Sequence, residues 1–215
     1  MSATADGAAR LRADLVARLR ADGKITTAAV EAAVSTVPRE RFLPADTALE
    51  IAYGVDEPVI RKHDERGAAT SSVSAAYIRA RMLEQAGLQP GMTVPEVGSG
   101  GLNAAMIAET VGDRGRVVSM DIDAEVADRA ARLLDGAGYG GRVRVLAADA
   151  DAGVPGEDQC DAIIVTAGAW DVAPTWLDHL ARNGALKVVP CRRHPGDIRP
   201  GRLVLLLLLL PPPAV

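Results

Sequence analysis

The sequence predicts an α/β fold, a doubly wound and mostly parallel sheet that follows an N-terminal helical extension. From residue 74 onward, short apolar segments alternate with segments whose apolar residues recur at helical spacing. This alternation is typical of parallel strands joined by helices, and right-handed connections place those helices on both faces of the sheet. The 215 residues suffice for one such domain with a sizeable core.

The N-terminal extension is predicted to contain two helices and a long loop. Leucines at helical spacing predict the first helix, and Thr26 or Thr27 can cap a second helix that ends before Pro38. Residues 53–72 contain proline, glycine and many charged residues, so we expect an irregular stretch with a solvated charged cluster at residues 61–66.

The doubly wound part is predicted to begin with a helix that Ser74 caps and Gly87 ends. Further helices are expected at residues 103–111, 124–137 and 174–181. Strands are expected at residues 92–97, 116–121, 142–147, 162–166 and 185–189. Pro95 lies within the first of these strands, where it removes a ladder donor and is unfavourable in a central position.

The composition argues against several classes of function. A net charge of −4 lacks the basic footprint of a nucleic-acid-binding protein. The longest apolar run has eight residues, far fewer than the ~20 of a membrane helix. The two cysteines, Cys160 and Cys191, offer neither a disulfide framework nor zinc spacing, so no metal is expected. The N-terminus lacks the apolar segment of a signal peptide, and we expect a cytoplasmic protein.

A glycine-rich turn between a predicted strand and a predicted helix is the strongest indication of a ligand. Residues 96–101 read Glu-Val-Gly-Ser-Gly-Gly, and glycines let the backbone approach a ligand beside a helix N-terminus. Asp121 lies 23 residues after Gly98, at the end of the next strand, where a carboxylate can accept hydrogen bonds from both ribose hydroxyls. The pattern predicts a nucleoside cofactor; a turn that binds no ligand is the alternative.

Two adenosine cofactors are compatible with this turn, a dinucleotide and S-adenosylmethionine. Asn103 stands where the dinucleotide fingerprint has its third glycine. Asp149, after the third strand, adds an acid suited to the adenine amino group, and acids suit a sulfonium cation. The residues therefore favour S-adenosylmethionine. The expected cofactor contacts are Glu96, Gly98, Ser99, Gly100, Gly101, Asn103, Asp121, Ile122, Ala148, Asp149, Ala150 and Thr166.

Several segments carry, in the right order, the motifs of a known family. They are residues 37–44 (Val-Pro-Arg-Glu-Arg-Phe-Leu-Pro), Ala52 and Tyr53 with Asp56 and Pro58, and residues 72–74, 88–91, 96–100, 138–139 and 161–167. These segments resemble protein-L-isoaspartate O-methyltransferases over about residues 25–190.

Two short segments are more similar to one branch of that family. Residues 98–101 (Gly-Ser-Gly-Gly) and 168–171 (Gly-Ala-Trp-Asp) resemble the FxLD-type enzymes found with lanthipeptide biosynthesis. In such systems a related methyltransferase would modify an aspartate of a ribosomal peptide. The sequence leaves open whether the acceptor is aspartyl or isoaspartyl.

The resemblance implies a Rossmann-like, class I methyltransferase that uses S-adenosylmethionine to esterify a carboxylate of a protein or peptide. It would make Ser74, Ser72 and Asp56 catalytic. The substrate side would include Val59, Ile60, Trp170 and Asp171. A carboxylate with a pKa of ~4 is ionised near neutral pH, so positioning can carry the catalysis without a strong base. The alternatives are a different small acceptor, and an inactive or accessory cofactor-binding remnant.

Domain boundaries follow from the same comparison. Residues 1–72 would form helices and a substrate-side loop packed on the methyltransferase domain, residues 73–190. The chain departs from the family pattern at Ala76, where a proline is usual, and at Pro95, where a leucine is usual. Residues 191–215 end in six leucines, three prolines, Ala and Val, unlike the family's closing strands. We hypothesise a truncated or frameshifted tail; a genuine divergent C-terminus is the alternative.

Overall fold

The computed structural model describes residues 3–63, 65, 69–169, 171–190 and 206–209. The helices are α1 (Ala3–Ala21), α2 (Ala28–Thr36), α3 (Leu49–Ala52), α4 (Ala76–Ala86), α5 (Leu102–Val111), α6 (Ala124–Gly136) and α7 (Pro174–His179). The strands are β1 (Val59–His63), β2 (Ala69–Val73), β3 (Thr93–Val97), β4 (Arg116–Asp121), β5 (Val143–Ala147), β6 (Cys160–Ala169), β7 (Leu180–Pro190) and β8 (Leu206–Leu209).

Six strands form one sheet in the order β5-β4-β3-β6-β7-β8. Neighbouring strands are parallel except β7 and β8, which are antiparallel. The chain runs outward from β3 to β5 and then returns to place β6 on the other side of β3. In such sheets, ligands bind at the carboxyl ends of the strands where the order reverses. The predicted α/β fold is confirmed.

Neighbouring residues of the central strands point to opposite faces of the sheet, where two apolar clusters lie. Val117 and Ile164 belong to one cluster, with residues of α1, α2, α4, α5 and α6. Val118 and Ile163 belong to the other, with Trp176 of α7. Helices therefore cover both faces, as predicted. None of the helices in the described part of the chain is long and apolar enough to cross a membrane.

The N-terminal helices form as predicted and are fastened to the sheet domain. Thr27 is the N-cap of α2, and its hydroxyl accepts a hydrogen bond from the Val30 N–H. Glu84 on α4 accepts hydrogen bonds from the backbone N–H groups and the hydroxyls of both Thr26 and Thr27. The carboxylate of Glu84 thus ties the start of α2 to α4.

The prediction that residues 53–72 are irregular is wrong for the second half of that stretch. Strands β1 and β2 pair antiparallel, with two register shifts along the pair. These irregularities and the charged side chains hide the alternation of a strand in the sequence. Arg61 lies on β1, half-buried, and donates a hydrogen bond to the Phe42 carbonyl. Asp64 and Arg66 of the same charged cluster lie outside the described residues.

The prediction that Ser74 caps α4 is also wrong. The helix begins at Ala76, and its N-cap, Ala75, makes no side-chain capping bond. The carbonyl of Ser74 instead accepts a hydrogen bond from Arg39 Nη2 at 3.1 Å. This contact holds the segment before α4 against the N-terminal extension. The helix ends as predicted, with Gly87 in the left-handed conformation at φ 61°.

The tail contributes one strand to the sheet. Residues 206–209 form β8, antiparallel to β7. An apolar run without alternation is compatible with a strand, and the prediction that the tail's sequence is unlike the family's closing strands stays a prediction. Residues 191–205 and 210–215, with Cys191, lie outside the described residues. Truncation or a frameshift stays a hypothesis.

Pro95 lies in β3, in the middle of the sheet. The N–H of Thr93 donates to Asp161 Oδ2 on β6 at 2.8 Å, and residues two apart in a strand direct their nitrogens to the same side. The nitrogen of Pro95 therefore faces β6. Backbone pairing of β3 with β6 begins only at Glu96 and Ile164. The proline thus costs the β3–β6 ladder one donor.

Pro95→Leu should raise the melting temperature, because it restores this donor. A gain of ~0.5–1.5 kcal/mol is expected for the hydrogen bond, or a few degrees for a domain of this size. Thermal unfolding followed by circular dichroism measures the change. Pro90→Leu, in the exposed turn before β3, is the control and should give no gain. A lower melting temperature for Pro95→Leu would contradict a regular central β3.

Candidate active site

A cavity of about 270 Å³ lies at the carboxyl ends of β3, β4 and β6, where the strand order reverses. The glycine turn after β3 forms one side, and the end of β2 with the start of α4 forms another. The cavity brings together nine residues predicted from the sequence: Ser72, Ser74, Glu96, Gly98, Ser99, Gly100, Asn103, Asp121 and Thr166. It is the candidate active site.

A larger groove, of about 560 Å³, lies at the opposite end of β4 and β5. Its arginines are all engaged, two with carboxylates and one with a backbone carbonyl. None of the residues predicted to bind a ligand lines it. Size alone therefore does not make it the better candidate.

The glycine turn is pressed against the end of β6. Gly98 has a φ of 101°, and a Cβ there would lie 2.6 Å from the backbone nitrogen of Ala167 and 2.7 Å from Thr166 Oγ1. Thr166 Oγ1 lies 3.1 Å from the Val97 carbonyl oxygen and 2.9 Å from the Gly98 carbonyl oxygen, within donating distance of both. Only glycine satisfies both the conformation and the space at residue 98.

Gly101 packs against the N-terminal extension. It has a φ of 81°, and a Cβ there would lie 3.1 Å from Cδ1 of Phe42, a buried residue of the N-terminal extension. Gly101 does not line the cavity. The absence of a side chain at residue 101 therefore allows the extension to pack closely on the turn, and its predicted contact with the cofactor stays a prediction.

Asp121 lies at the end of β4 with its carboxylate against the turn. Oδ2 accepts a hydrogen bond from the Ser99 N–H at 3.0 Å, and Oδ1 accepts one from the Asp123 N–H at 3.0 Å. Because each carboxylate oxygen can accept more than one hydrogen bond, both can still bind hydroxyls. The two backbone contacts fix the orientation in which Asp121 faces the cavity.

Glu96 is a fully buried carboxyl group at the floor of the cavity. Burial raises its pKa to about 7, although the hydrogen bond from Ser119 acts to lower it. Ser119 Oγ lies 2.6 Å from Glu96 Oε2 and 2.9 Å from Ser99 Oγ, so a hydrogen-bonded chain joins the three side chains. A cation bound nearby would favour the ionised form of Glu96.

Several buried polar atoms of the cavity wall lack a partner among the described residues. They are Arg61 Nε, Arg79 Nε and Nη1, Glu96 Oε1, and Asn103 Nδ2 and Oδ1, although the Asn103 side chain lies near enough to Glu96 to lower its pKa. Buried polar groups are normally hydrogen-bonded, and leaving one unpaired costs about 1–3 kcal/mol. Such a concentration of open donors and acceptors in one cavity indicates a polar ligand.

Other predicted site residues do not line the cavity. Those expected at the adenine end are Ile122, which is exposed, and Ala148, Asp149 and Ala150 after β5. Those expected on the catalytic or substrate side are Asp56, Val59, Ile60 and Asp171. Trp170 lies outside the described residues. The roles given to these residues stay predictions.

Two of them have structural contacts. Asp149 is the N-cap of a short turn, and its Oδ1 accepts a hydrogen bond from the Asp151 N–H. Asp171 Oδ1 accepts a hydrogen bond from the Val172 N–H.

In the described part of the chain, no three His, Cys, Asp or Glu side chains are grouped as a metal site would require.

Sequence reasoning missed seven residues that line the cavity. They are Arg61, Val73, Arg79, Val126, Arg129, Ala167 and Gly168. The charged cluster at residues 61–66 predicts a solvated loop for Arg61, and this prediction is wrong for that residue. Arg79 carried a usable signal, because it lies on the face of α4 that also presents the buried Ala76, Ala80 and Leu83. An arginine on the apolar face of a helix requires an explanation that packing does not supply.

Arg39 fixes the cavity wall that carries Ser74. Its guanidinium is buried, donates from Nε to the Ala52 carbonyl at 2.6 Å, and donates from Nη2 to the Ser74 carbonyl. Burial lowers the pKa of Arg39 to about 10. It therefore remains charged at neutral pH, and these backbone contacts explain why the Val-Pro-Arg-Glu segment carries an arginine.

Curated relatives match most of the chain. The family model for protein-L-isoaspartate(D-aspartate) O-methyltransferase matches residues 10–197. The protein-L-isoaspartate O-methyltransferase of Hyperthermus butylicus is 38% identical over 187 residues, covering 83% of this chain and 74% of that protein. The enzyme of the same name from Methanopyrus kandleri is 38% identical over 186 residues, covering 86% and 79%.

Solved structures of protein-L-isoaspartate O-methyltransferases are also similar to this chain. One protein-L-isoaspartate O-methyltransferase aligns with a TM-score of 0.75 at 30% identity, covering 83% of this chain and 55% of that one. This chain thus spans about half the length of that solved relative. A Plasmodium falciparum structure described as such an enzyme with S-adenosyl-L-homocysteine has a TM-score of 0.69 at 20% identity, covering 84% of each chain, and shows the fold. The chain belongs to the protein-L-isoaspartate O-methyltransferase family.

Proposed function

We propose that this protein uses S-adenosylmethionine to esterify the carboxylate of an isoaspartyl residue in a protein or peptide. The observation that carries the proposal is that one cavity holds both halves of the expected site. The glycine turn and Asp121 lie on one side, and Ser72 and Ser74 lie on the other. A methyl donor and an acceptor carboxylate have to meet in one such space.

The donor side fits S-adenosylmethionine better than a phosphate-bearing cofactor. Asp121 is oriented to accept hydrogen bonds from the ribose hydroxyls. Glu96 Oε1 and the polar atoms of Asn103 meet the hydrogen-bond criteria with no other described residue, and the Asn103 side chain lies beside Glu96. Burial raises the pKa of Glu96 to about 7, and a bound sulfonium cation would favour its ionised form. Gly98, Ser99, Gly100 and Thr166 would complete this half of the site.

The chemistry requires positioning more than proton transfer. S-adenosylmethionine, when bound, supplies an electrophilic methyl group on a sulfonium. An acceptor carboxylate is already ionised at neutral pH. The residues therefore have to hold and orient the carboxylate, which in ideal cases contributes up to ~7–11 kcal/mol. The Ser74 hydroxyl can donate a hydrogen bond to that carboxylate, with Ser72 in support, and Arg39 fixes the backbone that carries it.

The resemblance of residues 98–101 and 168–171 to the lanthipeptide-associated branch supports a second acceptor, an aspartate of a ribosomal peptide. Two synthetic peptides of identical sequence, one with isoaspartate and one with aspartate, separate the two. Methyl transfer from labelled S-adenosylmethionine to the isoaspartyl peptide alone supports the first proposal. Transfer to the aspartyl peptide alone supports the tailoring branch and contradicts the first proposal.

We place the reaction in the cytoplasm.

Asp121→Ala should weaken binding of S-adenosylmethionine by ~1–3 kcal/mol, because it removes charge-assisted hydrogen bonds to the ribose. Isothermal titration calorimetry measures the affinity. Asp113→Ala is the control, since the Asp113 side chain is 96% exposed at the far end of the sheet. Equal affinities for wild type and Asp121→Ala would exclude Asp121 as the ribose ligand.

Ser74→Ala should lower turnover and leave donor binding nearly intact. Loss of a hydrogen bond to a charged group costs ~1.5–3 kcal/mol, or roughly 10- to 150-fold in kcat/KM. The variant should fold normally, because α4 has no side-chain cap to lose. Initial rates of methyl transfer to the isoaspartyl peptide and calorimetry with S-adenosylhomocysteine measure the two effects. Ser35→Ala, exposed on α2, is the control. Unchanged turnover in Ser74→Ala would remove Ser74 from the acceptor site.

A further inference from the structure

Arg79 is a charged side chain buried at the cavity wall without a partner. The residue is 6% exposed and lines the cavity from the first turn of α4. Its Nε and Nη1 have no hydrogen-bond partner among the described residues. It also takes part in none of the ion pairs found in that part of the chain. Among the described residues, only the nearby Glu96 offsets part of the cost of burying this cation.

The charges around Arg79 do not compensate it. Burial, together with the guanidinium groups of Arg39 and Arg61, lowers its pKa to about 9, against an opposing effect of Glu96. Glu96 is a weak counter-charge, because its own pKa is about 7. Arg79 therefore remains mostly protonated at neutral pH, in a cavity whose arginines exceed its ionised acids. The unpartnered guanidinium atoms therefore favour an anionic group at this part of the cavity wall.

Arg61 also indicates an anionic ligand. It lines the cavity from β1, is held by the Phe42 carbonyl, and has a buried Nε with no partner among the described residues. Planar guanidinium groups pair with carboxylates through two parallel hydrogen bonds. We propose that Arg79, supported by Arg61, is a binding residue for a carboxylate of the bound reactants.

This inference rests on the proposed function, because that reaction brings two carboxylates to the cavity. One belongs to the methionine part of S-adenosylmethionine, and the other is the acceptor group. Both have the same chemistry, and the guanidinium fork recognises either. The two sources differ in experiment, since 5′-methylthioadenosine keeps the nucleoside but lacks the amino acid carboxylate.

Calorimetry with S-adenosylhomocysteine and 5′-methylthioadenosine, on wild type and Arg79→Gln, separates the sources. If Arg79 binds the donor carboxylate, affinity for S-adenosylhomocysteine falls tenfold or more, and affinity for 5′-methylthioadenosine is unchanged. If it binds the acceptor, both affinities stay constant and KM for the isoaspartyl peptide rises tenfold or more. Unchanged affinities and KM overturn the inference, and so does an equal loss for both nucleosides.

The stability of the unliganded protein gives a second readout. Removing an unpaired buried cation should stabilise the fold, so Arg79→Met should melt at or above the temperature of wild type. A structural role for Arg79 predicts the reverse, and a lower melting temperature overturns the inference. Arg81→Gln, exposed on α4, is the control and should change neither binding nor stability. If the wild-type protein binds neither nucleoside, the proposed function is refuted. If the wild type binds them and Arg79→Gln has the same affinities and KM, only the inference about Arg79 is refuted.

Discussion

The site depends on the close approach of the Gly98 backbone to the carboxyl end of β6. A Cβ at this residue would lie 2.6 Å from the Ala167 nitrogen, so the turn can occupy this position only with glycine. The Thr166 hydroxyl lies within donating distance of the Val97 and Gly98 carbonyl oxygens, which fixes the turn against the end of β6. With the turn fixed, the Ser99 N–H meets Asp121, and Ser99 joins the buried chain through Ser119 to Glu96.

The N-terminal extension supplies the opposite wall, and its contacts show why the two parts act together. Phe42 packs on Gly101 of the turn and accepts a hydrogen bond from Arg61 on β1. Arg39 holds the backbone of Ser74. The residues proposed to hold the acceptor are thus positioned by side chains from outside the sheet domain. Their arrangement depends on long-range contacts rather than on the strand–turn–helix unit that carries the donor side.

This division explains what the sequence could predict. The order of strands and helices, the turn at Gly98 and the acid at Asp121 follow from local patterns, because spacing within one strand–turn–helix unit determines them. The β1–β2 pair and the inward position of Arg61 could not be predicted, because register shifts and charges mask the strand pattern. The prediction that Ser74 belongs to the site agrees with its position at the cavity wall, whereas the prediction that it caps α4 is wrong. Local sequence could not show this, because the contact that holds the Ser74 carbonyl comes from Arg39, 35 residues away in the chain.

The chemical nature of the methylated product tests the central claim, that the cavity joins a methyl donor to a carboxylate. The intact protein is incubated with an isoaspartyl peptide and S-adenosylmethionine labelled in the methyl group, and the purified product is then treated with mild base. A methyl ester releases the label as methanol by either of two routes. One is hydrolysis, and the other is attack by a neighbouring backbone nitrogen, which forms a succinimide. A label that stays on the peptide in base, on nitrogen or on an aliphatic hydroxyl, would contradict the account.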